Sequence, residues 1–161
     1  MFEIKEKNGV YQVTGQGDFK ALVNKLSQVS ARLLAERAQF TCPKDVIEYA
    51  RPMMMDAENE QFWCMYLSSQ NEVIEFMPMF LGSVSSSRIH PRVIVKTALE
   101  FNARAVILAH NHPSGHPEPS DNDFAATKQI QQALRLVEVD VLDHIIYGVG
   151  KPYSMAEHGQ L

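Results

Sequence analysis

The sequence predicts an α/β domain in which a mixed β-sheet is flanked by helices. Three observations carry that expectation. Helical and extended patterns alternate along the chain, as they do where helices cover a sheet. Residues 104–109 form a short, almost wholly apolar run of the kind buried on both faces. The chain has 161 residues, 45% hydrophobic and 21% charged, which fits a single soluble globular domain able to bury about two thirds of its unfolded surface.

Residues 2–14 read as two short extended pieces around Asn8-Gly9, a strong hairpin pair. Asp18 then reads as the N-cap of a helix whose Leu22, Val23, Leu26, Val29, Leu33 and Leu34 recur at helical spacing and predict one buried stripe. Residues 1–40 are thus a hairpin and helix extension without chemistry of their own, and residues 41–161 the main domain. A second helix starts near Pro43, after Thr41 or Cys42, and carries Val46, Ile47 and Ala50. Pro52 kinks or ends it. Met53, Met54 and Met55 read as adaptable core filler.

Gln61–Leu67 reads as a strand, residues 68–71 as a turn, and residues 72–81 as a returning strand interrupted by Pro78. Gly82 opens a serine-rich loop reaching Ser87. A helix is expected over residues 93–101 behind His90-Pro91, then the apolar strand 104–109. Residues 111–119 form a Pro/Gly-rich loop, and Ser120 opens a helix of about 16 residues. A strand over 139–147 and a short closing piece over 152–158 complete the chain, which has no internal repeat, low-complexity tract or clear linker.

The net charge of −4 provides no global basic field for a nucleic-acid backbone, so a nucleic-acid partner is not favoured. The two cysteines, Cys42 and Cys64, are far apart and outside any C-x-x-C pair, which argues against a disulfide framework or a sulfur zinc site; Cys64 reads as a small core residue. There is no charged-then-apolar leader and no apolar run of the roughly 18 residues needed to span a bilayer, so the expectation is a cytoplasmic protein without a membrane partner.

The chemistry concentrates in the run from His110-Asn111-His112 to Ser120-Asp121-Asn122-Asp123. Two histidines two apart on an extended chain point the same way. The loop turns the chain back, and Asp123 follows in the first turn of the next helix. Two imidazoles and one carboxylate suit zinc, and three protein ligands leave a fourth position for water. Ser120-x-x-Asp123 is also a capping box, which needs no metal, and each histidine alone fits a core or surface role. Taken together, with 6 His, 11 Ser and 7 Asp in the chain, the spacing H-x-H-x7-S-x-x-D arises by chance in about one such sequence in a thousand. A cap and a ligand are also compatible, because the cap holds Asp123 in place.

That spacing is the signature of the JAMM (JAB/MPN) metalloprotease superfamily. The longer text HNHPSG, with Pro119-Ser120 and Asp123 and with LDHII at 142–146, resembles its RadC-like branch from about Pro43 to Ser154. The resemblance implies a JAB/MPN-like (cytidine-deaminase-like) fold and one Zn2+ per chain held by His110, His112 and Asp123. It also implies Ser120 assisting a tetrahedral intermediate and an upstream glutamate acting on water. Glu60 opens a segment that resembles the family's E-x-F-x-x-x-x-L, with Glu58 as its nearby competitor. Ser83, Ser85, Ser86 and Ser87 correspond to a family loop near the cleft. His90-Pro91-Arg92 resembles the family's H-P-R-E, with Val93 in place of the glutamate. His144 reads as a structural or supporting group rather than a fourth ligand, and His116 and His158 as solvent-exposed. RadC proteins usually carry a helix-hairpin-helix module ahead of this domain, a pattern that residues 1–40 do not resemble.

The expected activity is hydrolysis of a peptide or isopeptide bond in a peptide or protein substrate, with loops 82–92 and 113–119 setting specificity. The alternatives are a DNA-repair-associated RadC-like protein with a nuclease role, and a non-catalytic binding module. A zinc deaminase lacks support because the P-C-x-x-C half of that signature is missing. Substrate identity and oligomeric state stay open.

Overall fold

A computed structural model describes residues 2–7, 10–16, 18, 20–23, 26, 43–54, 57–82 and 89–161. The Asn8-Gly9 turn, Val29, Leu33, Leu34, Thr41, Cys42, Met55, Ser83 and Ser85 to Ser87 lie outside the described residues. Strands β1 (Phe2–Lys7) and β2 (Val10–Gly15) pair antiparallel in a sheet of their own. Asp18 acts as an N-cap, its Oδ1 accepting from the Ala21 N–H at 2.7 Å. Val23 and Leu26 stay 38% and 41% exposed, so at these positions the stripe expected to be buried is open in the single chain.

The main sheet has five strands in the order β4-β3-β5-β6-β7. These are β3 (Gln61–Leu67), β4 (Val73–Leu81), β5 (Ala105–Asn111), β6 (Asp140–Tyr147) and β7 (Tyr153–Ser154). β5 and β6 run parallel while the other neighbours are antiparallel, which makes the sheet mixed, as predicted. Helix α1 (Pro43–Met54) covers one face. Helices α2 (Pro91–Glu100) and α3 (Asp121–Arg135) cover the other, α3 being the crossover that parallel neighbours require.

The alternation of the strands sorts the core into two layers. Ala105, Ile107 and Ala109 of β5 join Met65 and Leu67 of β3 beneath Val46, Ile47, Ala50 and Met54 of α1. Val106 and Leu108 join Phe62, Cys64 and Tyr66 beneath Ile94, Ala98, Ile130 and Leu134. All seven residues of β5 are buried, so the continuous apolar run is the central strand.

Three prolines behave differently from a simple breaker. Pro52 lies inside α1, which continues to Met54. Pro91 opens α2 two residues ahead of the expected start, at a position where its fixed φ suits a helix and its missing N–H has no helical partner to lose. Pro78 does not interrupt β4, because it falls beside a register shift on the strand at one end of the sheet order.

Cys64 is 0% exposed, and burial pushes its thiol up to about 12 despite a hydrogen bond with Tyr66. Since the thiolate is the nucleophile, Cys64 is expected to resist iodoacetamide at about pH 8 in the folded protein and to react once unfolded in guanidinium. Peptide mapping by mass spectrometry checks this; alkylation of folded protein at Cys64 would contradict the packing described.

Candidate metal centre

The centre forms where the carboxyl ends of the parallel strands β5 and β6 meet the N-terminus of α3. His110 pairs with Phe62 on one side and Ile146 on the other, and the His112 N–H donates to the Tyr147 carbonyl at 2.7 Å. The chain therefore stays extended beyond the apolar run, and residues two apart face the same way. The Nε2 atoms of His110 and His112 lie 2.9 Å apart.

Asp123 is the third residue of α3 and closes a capping box with Ser120. The Asp123 N–H donates to Ser120 Oγ at 3.2 Å, while the Ser120 N–H and hydroxyl both donate to Asp123 Oδ2 at 2.7 Å. The cap leaves the carboxylate facing the histidines, with Oδ1 3.3 Å from His110 Nε2 and Oδ2 3.5 Å from His112 Nε2. Glu60 enters from the start of β3: its ligand atom and those of His110 and His112 all lie within 4.8 Å of one another. Glu58, the competitor, is exposed and stands outside that group. Asp123, distant in sequence from Glu60, thus reaches the same pair of imidazoles, and Ser120 reaches Asp123.

Hydrogen bonds behind the rings decide which ring nitrogens face the site. The Thr127 hydroxyl has one proton and lies 2.6 Å from the Asp123 carbonyl, one helical turn back, and 2.6 Å from His144 Nδ1. Given to the carbonyl, which can only accept, that proton requires His144 Nδ1–H to donate to the hydroxyl. His144 Nε2 then accepts from His110 Nδ1–H at 2.8 Å, and His110 Nε2 turns a lone pair into the site. His112 Nδ1–H likewise donates to the His116 carbonyl at 2.6 Å, which turns Nε2 towards the site. His116 serves through its backbone while its side chain is exposed, and His158 is exposed as well, stacked on Tyr153. His144 is a supporting group, as expected. The sequence reading missed Thr127, whose signal was its place four residues after Asp123 on the same face of α3.

Burial, with His144 and His112 nearby, holds His110 well below its ordinary pKa against the pull of Asp123, so the ring is neutral. Burial likewise pushes His144 down to about 4. His112 is raised, chiefly by its hydrogen bond to Asp123, with the His116 carbonyl, Asp123 and Glu60 adding to this against burial. Burial raises Asp123, but His112, His110 and Ser120 together outweigh it and hold the carboxyl below the usual range. Two imidazole nitrogens 2.9 Å apart and backed by a carboxylate call for positive charge between them. A proton on His112 supplies it, and so does a cation. A tetrahedral ion with bonds of about 2.0–2.1 Å has ligand atoms about 3.3–3.4 Å apart. The observed 2.9, 3.3 and 3.5 Å bracket that spacing, so the donor set fits a small divalent metal.

The loop carrying His116 is held against the turn after β6. The Val149 N–H donates to the Gly115 carbonyl at 2.8 Å, and a Cβ on Gly148 would stand 2.5 Å from that same oxygen, so only glycine permits the approach.

A family model for the RadC-like JAB domain matches residues 40–160. The chain belongs to the RadC-like JAB domain family. It is 45% identical over 136 residues to a UPF0758 protein of Pseudomonas fluorescens (strain Pf0-1), a match covering 82% of this chain and 61% of that relative. It is 48% identical over 122 residues to the UPF0758 protein YfjY of Escherichia coli (strain K12), covering 76% of each. A UPF0758 protein of Coxiella burnetii (strain Dugway 5J108-111) shares 41% over 128 residues, 80% of this chain and 57% of that one. The chain thus spans about three fifths of the length of the P. fluorescens relative. In this RadC-like member, no helix among the described residues is long and apolar enough to cross a membrane.

Replacing Thr127 with Val removes the hydroxyl that orients His144 and, through it, His110. Supporting bonds of this kind are worth about 10–100-fold in metal affinity. Chelator competition is expected to show a loss of that size with the circular dichroism unchanged; unaltered affinity would contradict the relay.

Proposed function

We propose that this RadC-like protein is a zinc-dependent hydrolase that cleaves a peptide or isopeptide bond. His110, His112 and Asp123 are the metal ligands, Glu60 is the general base, and Ser120 is the oxyanion donor. The observation that carries the reading is the convergence of the Nε2 atoms of two imidazoles on one buried carboxylate. Membership of the JAB family supports hydrolysis, and the mixed nitrogen and oxygen donor set supports zinc. Zinc bound there supplies Lewis acidity, drawing the pKa of water towards 7 and polarising a carbonyl.

The Asp123 carboxylate oxygens lie 3.3 Å from His110 Nε2 and 3.5 Å from His112 Nε2, which supports Asp123 as a ligand. The Glu60 carboxylate is grouped with the same two histidines, which supports a role beside them. Glu60, half-buried at the mouth of β3, takes a proton from the attacking water and passes it to the leaving amine. The Ser120 hydroxyl sits 2.7 Å from Asp123 Oδ2 at the rim of the site, and rotation about its Cα–Cβ bond turns it towards the developing oxyanion.

Elemental analysis of purified protein is expected to find about one zinc per chain, lost in His112→Ala. Protein that holds no zinc even after reconstitution would remove the basis for this function. Glu60→Gln is expected to keep the zinc and lose about 10²–10⁴-fold of the turnover of a pool of quenched fluorescent peptides and lysine isopeptide conjugates. An unchanged rate would remove Glu60 from the base's role.

A further inference from the structure

Between the two histidines stands Asn111, which none of the chemistry above uses. It is 4% exposed, and its amide is satisfied at both ends by a single segment of chain. Oδ1 accepts from the Gln61 N–H at 2.8 Å, and Nδ2 donates to the carbonyls of Asn59 at 3.2 Å and Ala57 at 3.5 Å. These contacts fall on both sides of Glu60.

The register explains the arrangement. The ladder between β3 and β5 ends with Phe62 opposite His110, which leaves Gln61 opposite Asn111. There the side-chain amide takes over from the backbone. Asn111 shares the face of Ala105, Ile107 and Ala109, which packs under α1, and residues 57–60 follow the end of that helix. The histidines on either side of it face the metal centre. On the far flank, the Gly82 N–H donates to the Glu60 carbonyl at 2.8 Å, so the backbone at Glu60 is tied from both neighbouring strands.

We propose that Asn111 is a positioning residue that sets Glu60 against the metal centre by clamping residues 57–61 to the strand that carries the histidines. This rests on the reading of Glu60 as the base. The task needs a short side chain with an acceptor at one point and a donor at another. An amide provides both, a hydroxyl is too short to span them, and a carboxylate would face the carbonyls of Asn59 and Ala57 without a proton to give.

The test compares zinc-loaded wild type with Asn111→Ala. Amide exchange over residues 57–61 is expected to rise about tenfold, while the zinc count stays near one because the ligands lie on β5, the loop after it and α3. On the peptide pool, kcat is expected to fall about 100-fold with KM within about twofold. In a Glu60→Gln background the same substitution is expected to cost no further rate, since its effect runs through Glu60. Unchanged exchange over 57–61, or a full additional loss in the Glu60→Gln background, would overturn the proposal. If Asn111→Ala does not fold, Asn111→Asp carries the test: it keeps the bond to the Gln61 N–H, so it is expected to stay folded with a lowered kcat, and wild-type turnover there would equally overturn it. A wild-type rate in Glu60→Gln alone would instead sink the base assignment, while the exchange result still judges the clamp.

Discussion

The parallel pairing of β5 with β6 is the constraint on which the site depends. It requires a crossover, and the crossover helix α3 brings its N-terminus to the carboxyl ends of both strands, where Asp123 meets His110 and His112. The pairing is not uniform. Val106 opposes Val141 but Ile107 opposes Asp143, so Leu142 is an extra residue in β6. That bulge shifts the alternation by one and places Val141 and His144 on the same face, beside Leu108 and below His110. Without it His144 would face α1, and His110 would lose the partner that sets its tautomer.

The buried polar groups around the centre form linked chains, and each chain ends on a backbone group. One runs from His110 through His144 and Thr127 to the Asp123 carbonyl. Another joins Asp123 to Ser120 through the cap. A third holds the strand after the bulge: Asp143 accepts from the His144 N–H, the Ser154 hydroxyl and the Ala156 N–H, fixing β7 to β6. Among the described residues no buried side-chain nitrogen or oxygen lacks a partner. A network satisfied throughout is stiff, and stiffness is what a metal site needs from the groups behind its ligands.

The electrostatics follow from the same packing. Neutral rings at His110 and His144, a carboxylate held ionised at Asp123 and a raised His112 leave the centre with a demand for one positive charge. The packing around the centre is therefore part of its electrostatics, because burial keeps the rings of His110 and His144 neutral.

Much of this was legible in the sequence. The alternation of helices and strands, the wholly apolar central strand, the spacing of the two histidines and the capping signal at Ser120 and Asp123 are local patterns, and local sterics and hydrogen bonding are enough to realise them. Glu60 was legible only through its resemblance to a family segment, since nothing near it in sequence marks it as more than a strand-edge carboxylate. Tertiary structure alone decided the rest. Strand register laid Gln61 opposite Asn111, the bulge at Leu142 turned His144 towards His110, and the crossover put Thr127 behind both. These contacts join residues from about 17 to 50 positions apart, and they depend on which edges pair and in what phase, a choice made by the packed sheet as a whole and not by any one segment of the chain.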